Sequence, residues 1–125
     1  MTDARPEAAI QDFSRLLADG DLDGMVALYE PDATFAPQPG QTVSGHDAIR
    51  EALRGFLAVQ PSMEGTIEKV LEAGDTALVA NRWRLRGTAE DGSAVDMAAT
   101  SADVLRRRPD GSWGIVIDDP WGAAG

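Results

Sequence analysis

The sequence has no cysteine and only one histidine, His46. Without cysteine there can be no disulfide, no thiolate nucleophile and no cysteine-bound zinc. A single histidine cannot supply a histidine-rich metal site within one chain. We therefore expect no bound metal, although His46 itself could alternatively act as a general base.

Basic residues are also scarce, with 11 lysines and arginines against 21 acidic residues and a formal net charge of −10. Nucleic acids and anionic membrane surfaces bind basic protein surfaces, so neither is an expected partner. No apolar run approaches the roughly 20 residues that span a bilayer. The opening Met1-Thr2-Asp3 is unlike a signal peptide, and we expect a cytoplasmic protein.

A chain of 125 residues predicts a single domain, residues 1–125, with one core. Apolar residues at helical spacing predict three amphipathic helices in the first half. The first covers Pro6–Ala18 and ends at Gly20, while the second is capped by Asp21 and stopped by Pro31. The third begins at Ser44, which together with an acid three residues later resembles a capping box.

From residue 63 onward the apolar residues recur at every second position, which predicts β-strands. Glycine-containing turns separate four strands, and such short connections make neighbouring strands antiparallel. A short strand or arm at 32–43 lies among the helices. The predicted architecture is α+β, a conical fold of three N-terminal helices packed on the concave face of a curved antiparallel sheet. The four strands are Thr66–Ala73, Thr76–Gly87, Val95–Arg107 and Ser112–Asp119.

Five short motifs carry a resemblance to a known family. They are Gly20-Asp21-Leu22, Pro31-Asp32-Ala33-Thr34-Phe35, Gly45-His46-Asp47-Ala48-Ile49-Arg50, Ser101-Ala102-Asp103-Val104-Leu105-Arg106 and Asp110-Gly111-Ser112-Trp113. With these motifs the chain resembles the nuclear transport factor 2-like superfamily, in its SnoaL-like and ketosteroid-isomerase-like branch. The resemblance implies a cystatin-like cone with a pocket. That fold hosts isomerases, cyclases, epoxide hydrolases, dehydratases and non-catalytic domains, so it does not specify one reaction.

The residues of the steroid isomerases are only partly present. The catalytic base of those enzymes would fall at Ala36-Pro37-Gln38, which has no carboxylate, and their oxyanion-hole tyrosine would fall near Phe13, which has no hydroxyl. Only their oxyanion-hole aspartic acid has a counterpart, Asp103. The resemblance therefore implies a pocket, and steroid isomerisation by the family's mechanism is not expected.

Asp103 and Asp118 are the candidate catalytic residues, on two strands that flank the turn Pro109-Asp110-Gly111. A two-residue loop places them directly opposite each other, and a four-residue loop places them diagonally on one face. A three-residue loop with a bulge instead moves Asp103 to the face of Trp113. The family's hairpin favours the first two, so we expect Asp103, Leu105, Val116 and Asp118 to face the pocket.

Two carboxyls on one apolar face cannot both ionise cheaply. One is then expected to keep its proton and act as an acid while the other accepts a proton. Alternatively, Asp118 belongs to a solvated strand end and Asp103 bonds to an arginine or to backbone.

Ten further residues are expected to contact a ligand, although each could equally be part of the core. Trp83 would form an aromatic wall and Asn81 a polar handle, with Arg82, Arg84 and Arg86 on the outer face of the same strand. His46 is expected at the surface. The ten residues are Tyr29, Phe35, Phe56, Met63, Asn81, Trp83, Met97, Ser101, Leu105 and Val116.

These features together predict an enzyme without metal or organic cofactor that performs acid–base chemistry on a small hydrophobic molecule. The reaction would be an isomerisation, cyclisation, dehydration or hydrolysis. The alternative is a non-catalytic ligand-binding or assembly module. A cavity of several hundred Å³ with an unpaired carboxyl favours the enzyme, and a filled cone favours the module. We also expect a homodimer formed through the outer face of the sheet.

Overall fold

The computed structural model describes residues 5–122, which form three α-helices and one seven-stranded sheet. The helices lie before most of the strands, and their apolar faces pack on one face of the sheet. The predicted α+β architecture is therefore confirmed. The elements are α1 (Glu7–Asp19), α2 (Leu22–Ala27), β1 (Tyr29–Gln38), β2 (Gln41–Ser44), α3 (His46–Leu57), β3 (Ser62–Ala73), β4 (Thr76–Thr88), β5 (Ala94–Thr100), β6 (Ala102–Arg107) and β7 (Trp113–Asp119).

The strand order is β2-β1-β7-β6-β4-β3, with β5 also paired to β4. Strand β1 runs parallel to β7, and every other pair is antiparallel. One edge of β4 pairs with β3, and the other edge pairs first with β6 and then with β5. The single strand predicted over Val95–Arg107 is therefore wrong, because it is interrupted at Ser101. There the Ser101 N–H donates to the Asn81 carbonyl at 2.8 Å.

The junction between α1 and α2 forms as its sequence predicts. Gly20 takes a left-handed conformation, with φ 69°, and its N–H donates to carbonyls of the last turn of α1. The Asp21 carboxylate then accepts from the Gly24 N–H at 2.9 Å and caps α2. The prediction that Pro31 stops this helix is wrong, because α2 ends at Ala27 and Pro31 lies within β1. Proline is tolerated there because the pairing of β1 with β7 is irregular around it.

The third helix also begins later than predicted. It starts at His46 after Gly45, whose φ of 87° favours glycine, and no side chain caps it. Ser44 instead closes β2, where its hydroxyl hydrogen-bonds that of Thr34 at 2.9 Å. The predicted capping box is therefore wrong. The predicted arm is the β1–β2 hairpin, which packs against α3.

The core lies between the helices and the inner face of the sheet. Apolar side chains from all three helices are buried against alternate residues of the central strands, as expected for period-two strands covered on one side. Arg82, Arg84 and Arg86 are exposed on the opposite face, as predicted. Among the most buried core residues are Leu17, Met25, Ile49, Leu53, Val79 and Leu105.

The run Arg106-Arg107-Arg108 fastens the β6–β7 hairpin to the rest of the sheet. Arg106 and Arg108 pair with the buried Glu30 of β1, at 3.2 and 2.9 Å. Arg107 lies over the ring of Trp113, 4.7 Å from its centroid. The run is therefore more than the charged strand end that the sequence indicates.

Candidate functional site

A cavity of about 60 Å³ lies between α1, α3 and the inner face of the sheet. Most of its wall is apolar. The polar residues in the wall are Asn81, Ser101, Asp103 and Asp118, which come from β4, the break at Ser101, β6 and β7. Among the apolar wall residues are Phe13, Phe35, Phe56, Met63, Trp83 and Ile115.

Asp103 lies directly opposite Asp118 in the β6–β7 pair, as predicted. The loop is nevertheless not the two-residue turn that would produce this pairing by itself. The Arg108 N–H donates to the Ser112 carbonyl at 2.7 Å, which leaves Pro109-Asp110-Gly111 as a three-residue loop. A register shift between Val104 and Leu105 adds one residue on β7 and restores the pairing of the two acids.

That bulge corrects one predicted contact. Leu105 pairs with Ile115, so Ile115 and not Val116 enters the cavity wall. After the bulge, the Asp118 side chain lines the cavity, whereas the Ile117 side chain is 44% exposed on the other face of the sheet. Val116 is therefore not part of the wall. Leu105 is fully buried in the core and does not line the cavity either.

The Tyr29 hydroxyl forms a hydrogen bond with Asp118. The Tyr29 side chain is 1% exposed, and its hydroxyl donates to Asp118 Oδ2 at 2.5 Å. Burial, followed by the nearby charge of Asp118, raises the pKa of Tyr29 well above its ordinary value. Tyr29 thus remains a neutral donor. It is not among the residues lining the cavity, so it is not the ligand contact that the sequence predicts.

Asp103 is 2% exposed. Its Oδ2 accepts from the Ser101 hydroxyl at 2.7 Å. The Ser101 hydroxyl oxygen also accepts from the backbone N–H of Asn81 at 3.2 Å, which fixes the orientation of the hydroxyl. The other carboxyl oxygen, Oδ1, accepts from no donor among the described residues, and when it is protonated it donates to the neighbouring Asp118 carboxylate. No arginine or backbone group in residues 5–122 pairs with this acid, contrary to the alternative interpretation of the sequence.

The pKa of each carboxyl is raised, and for different reasons. Burial, together with the charge of Asp118 and the hydrogen bond between the two acids, raises the pKa of Asp103 well above its ordinary value. Burial also raises the pKa of Asp118, but hydrogen bonds from Asp103 and Tyr29 oppose that rise. Asp103 is therefore the carboxyl that keeps a proton, and Asp118 is the carboxylate that accepts one.

Asn81 and Trp83 lie side by side on the cavity wall. Asn81 is 7% exposed, and its side-chain amide makes no hydrogen bond with the rest of the described chain. The amide rests over Gly65 of β3, where an added Cβ would lie 2.9 Å from Asn81 Oδ1. The Trp83 indole N–H donates to the Pro120 carbonyl at 2.7 Å. Trp83 is thus fixed, whereas Asn81 presents an unpaired amide.

A wider space of about 680 Å³ lies beyond Phe56 and Trp121, whose side chains border both spaces. Trp121 is held there by its indole N–H, which donates to the Ala36 carbonyl at 3.1 Å, and by an edge contact with Trp83. Met97 lines this outer space and not the inner cavity. The predicted contact of Met97 therefore moves outward.

His46 is half-buried at the start of α3, where its Nε2 lies 2.8 Å from the Tyr29 carbonyl oxygen. It joins α3 to β1 and does not reach the cavity, so the expectation of a surface side chain is wrong. Residues 5–122 contain no group of three or more His, Asp or Glu side chains that could hold a metal ion. No helix in this part of the chain is long and apolar enough to cross a bilayer.

Several wall residues escaped sequence reasoning as ligand contacts. Ile10, Phe13 and Leu17 form the apolar stripe of α1, which predicts burial but does not say that part of the stripe faces a cavity. Trp121 lies after the last strand, where no periodic pattern applies. Its large aromatic side chain beside a proline was the available signal.

A family model described as the SnoaL-like domain matches residues 10–114. No curated protein matches the chain significantly. Among solved structures, a ketosteroid isomerase-like protein from Erwinia carotovora atroseptica is 23% identical, with a TM-score of 0.78, over 90% of this chain and 89% of that one. An NTF2-like protein with a cystatin-like fold from Novosphingobium aromaticivorans is 20% identical, with a TM-score of 0.76, over 95% and 80%.

A third similar structure comes from Xanthomonas campestris and is named for the association domain of calcium/calmodulin-dependent protein kinase II. It is 26% identical, with a TM-score of 0.75, over 95% of this chain and 86% of that one. The predicted fold and family resemblance are confirmed by these matches. Because the names include both an isomerase-like protein and an association domain, they do not decide the reaction.

Proposed function

The chain belongs to the SnoaL-like domain family, and we propose that it is an enzyme that uses Asp103 and Asp118 for acid–base chemistry on a small hydrophobic molecule. One observation carries the proposal. Asp103, a buried carboxyl with no cationic partner among the described residues, lies directly opposite a second carboxyl in the wall of an apolar cavity. Similarity to the ketosteroid isomerase-like protein, at 23% identity, shows a shared fold alone.

The paired acids suit a carbonyl compound with an acidic neighbouring C–H. Asp103 would donate a hydrogen bond to the carbonyl oxygen, while Asp118 removes the proton from the adjacent carbon. The negative charge that develops on the oxygen is then stabilised by a neutral acid in a site from which water is largely excluded. Return of the proton from Asp118 to another carbon completes an isomerisation, and its delivery to a β-hydroxyl, which then leaves as water, completes a dehydration.

The buried pair of acids also has a cost that favours a functional role. The folded chain keeps on Asp103 a proton that the unfolded chain releases at neutral pH, which lowers the free energy of unfolding. Such local conflicts between sequence and stability are concentrated at functional sites. A ligand oxygen that accepts from Asp103 would replace Asp118 as the partner of that proton and leave Asp118 free to act as the base.

Exchange of ketone α-protons for deuterium, followed by proton NMR in D₂O, tests the proposal without knowledge of the product. We expect the native protein to accelerate exchange in small ketones, and Asp103→Asn and Asp118→Asn to abolish the acceleration. Asp32→Asn is the matched control, because the Asp32 side chain is 76% exposed. Absence of acceleration, or equal acceleration by all the variants, would contradict the proposed roles.

A non-catalytic binding or assembly module is the second candidate, and one observation favours it. The inner cavity, about 60 Å³, is smaller than the several hundred Å³ typical of ligand pockets. The enzyme therefore requires a small substrate, or one whose remainder occupies the outer space. For the module we expect no exchange with any ketone, even where a compound binds.

We also propose that a second copy of this chain binds the outer face of the sheet. An apolar row crosses four strands on this face. Leu71 lies opposite Leu78, Leu78 opposite Val104, and Val104 opposite Ile117. Its two ends are unusually exposed, 56% at Leu71 and 44% at Ile117. We expect sedimentation analysis to show a dimer, and Ile117→Glu to shift it to monomer. A monomeric native chain would contradict the proposal.

A further inference from the structure

We propose that Asn81 is a second polar anchor of the site and that the ligand therefore carries two oxygen functions a few bonds apart. One is a carbonyl that accepts from Asp103, and the other is a carbonyl or hydroxyl that pairs with the Asn81 amide. The inference rests on the proposed function for the role of Asp103. It adds the substrate class, a small β-diketone or β-hydroxyketone.

The state of the Asn81 amide is the first support. The side chain is 7% exposed and lines the cavity, yet its amide has no hydrogen bond to any described residue. The amide oxygen and nitrogen are not among the fully buried atoms that lack a partner, so both are accessible to a small molecule in the cavity. An amide that served only the fold would be expected to bond to a neighbouring group. Asp103 belongs to the same cavity wall.

Gly65 supplies the space that this amide occupies. It lies on β3 opposite Trp83 and has no side chain, so the Asn81 amide lies over its backbone. An added Cβ would lie 2.9 Å from Asn81 Oδ1 and 3.1 Å from Nδ2. Since both atoms are at the end of a flexible side chain, alanine at this position would move the amide and leave the strand pairing intact.

The strand register sets the spacing of the two anchors. Val79 lies opposite Asp103, and Asn81 follows Val79 on the same face of β4. Asp103 and Asn81 are therefore diagonal neighbours, with Cα atoms about 7–8 Å apart. Both side chains extend into one cavity of about 60 Å³, so a single small molecule spans them. The remaining wall is mainly apolar and suits the carbon skeleton of that molecule.

Two compounds with the same carbon skeleton test the inference, namely 2,4-pentanedione and 2-pentanone. Their affinities can be measured by titrating each compound into the isotope-labelled protein and following its NMR spectrum. We expect the native protein to bind the diketone about tenfold more tightly, the gain from one buried hydrogen bond to an otherwise unpaired amide.

Two variants address the Asn81 amide separately. Asn81→Leu removes it at similar volume, and Gly65→Ala displaces it. Both should weaken binding of the diketone more than binding of 2-pentanone and so abolish the preference. Thr66→Ala, one residue along β3 and exposed, is the matched control and should keep the preference. Asn81→Leu should not lower the melting temperature, whereas a structural amide would make it do so.

The inference is overturned if the native protein binds both compounds equally, binds neither, or keeps its preference in Asn81→Leu and Gly65→Ala. Exchange of the α-protons of 2-pentanone separates this result from the proposed function. Exchange without a diketone preference overturns the inference and leaves the acid–base proposal standing. A preference that depends on Asn81, without any exchange, overturns the acid–base proposal alone.

Discussion

Asp103→Asn should stabilise the protein. Asparagine has nearly the same shape, so its Oδ1 can accept from Ser101 while its NH₂ donates to Asp118. The substitution therefore reproduces the hydrogen bonds of the protonated acid without a titrating group. At neutral pH the unfolded chain releases the proton that the folded Asp103 keeps, and asparagine removes this cost. We expect a gain of about 1–3 kcal/mol, the usual size of an effect at a buried polar group.

The gain converts into a measurable change in melting temperature. Unfolding entropy near 2.1 cal/mol/K per residue gives about 0.26 kcal/mol/K for 125 residues, so each kcal/mol raises the melting temperature by about 4 °C. The expected rise is about 4–12 °C. Asp32→Asn, on an exposed side chain, should change it little.

The pH dependence supplies the stricter test. Because the pKa of Asp103 is raised in the folded protein, the folded state binds more protons than the unfolded state between the two pKa values. The contribution of Asp103 to stability is thus full below its unfolded pKa of about 3.9 and is lost as pH rises through the folded pKa. The advantage of Asp103→Asn should be small at pH 3, grow with pH and then level off.

Thermal unfolding followed by circular dichroism across a pH series measures this difference. A melting temperature that is unchanged or lowered at neutral pH would refute the conclusion that Asp103 is a costly buried acid. A gain that does not vary with pH would refute the raised pKa as its source. The same variant should lose ketone exchange, so that one substitution gains stability and loses activity.

Three other substitutions have defined outcomes. Tyr29→Phe should lower the free energy of unfolding, measured in urea at neutral pH, by about 1.5–3 kcal/mol, because Asp118 loses a hydrogen-bond donor. The loss should be smaller at acidic pH, where Asp118 is protonated. An equal loss at every pH would contradict this prediction. Trp121→Ala should join the inner and outer spaces, so that a bicyclic ketone such as 1-tetralone binds more tightly by NMR titration, and unchanged affinity would count against Trp121 as the partition. Glu30→Gln should lower the free energy of unfolding by about 1–3 kcal/mol in the same urea assay, because Arg106 and Arg108 lose their shared carboxylate. A loss no larger than that of Asp32→Asn would show that these ion pairs contribute little to stability.

The parts of the fold that follow from local rules were predictable. Gly20 and Asp21 mark the α1–α2 junction because a left-handed residue and a capping carboxylate act within a few residues of each other. The alternating strands likewise carry their own period. Tyr29 and Ser44 were misassigned because tertiary pairing decided between helix and strand at these positions, with β7 bonding one and β1 the other.

The candidate site was only partly predictable for the same reason. The pairing of Asp103 with Asp118 depends on two compensating irregularities, a three-residue loop and a bulge, and no local pattern announces the second. The second predicted helix runs to Pro31 and therefore includes Tyr29, so the hydrogen bond from Tyr29 to Asp118 across 89 residues of sequence was not foreseeable. Long-range contacts of this kind leave no trace in periodicity.

The bulge on β7 makes the chemistry of the cavity depend on a count of residues. Removing Val116 would remove the bulge and leave Asp118 opposite Asp103, because Leu105 pairs with Ile115 before the bulge and Asp103 pairs with Asp118 after it. Adding one residue between Ile115 and Asp118 without a second bulge would instead turn Asp118 to the other face of the sheet, because strand side chains alternate. A single inserted codon thus separates a cavity with the acid pair from a cavity with one acid, and an alignment that slips by one position here would misread which of the two a relative has.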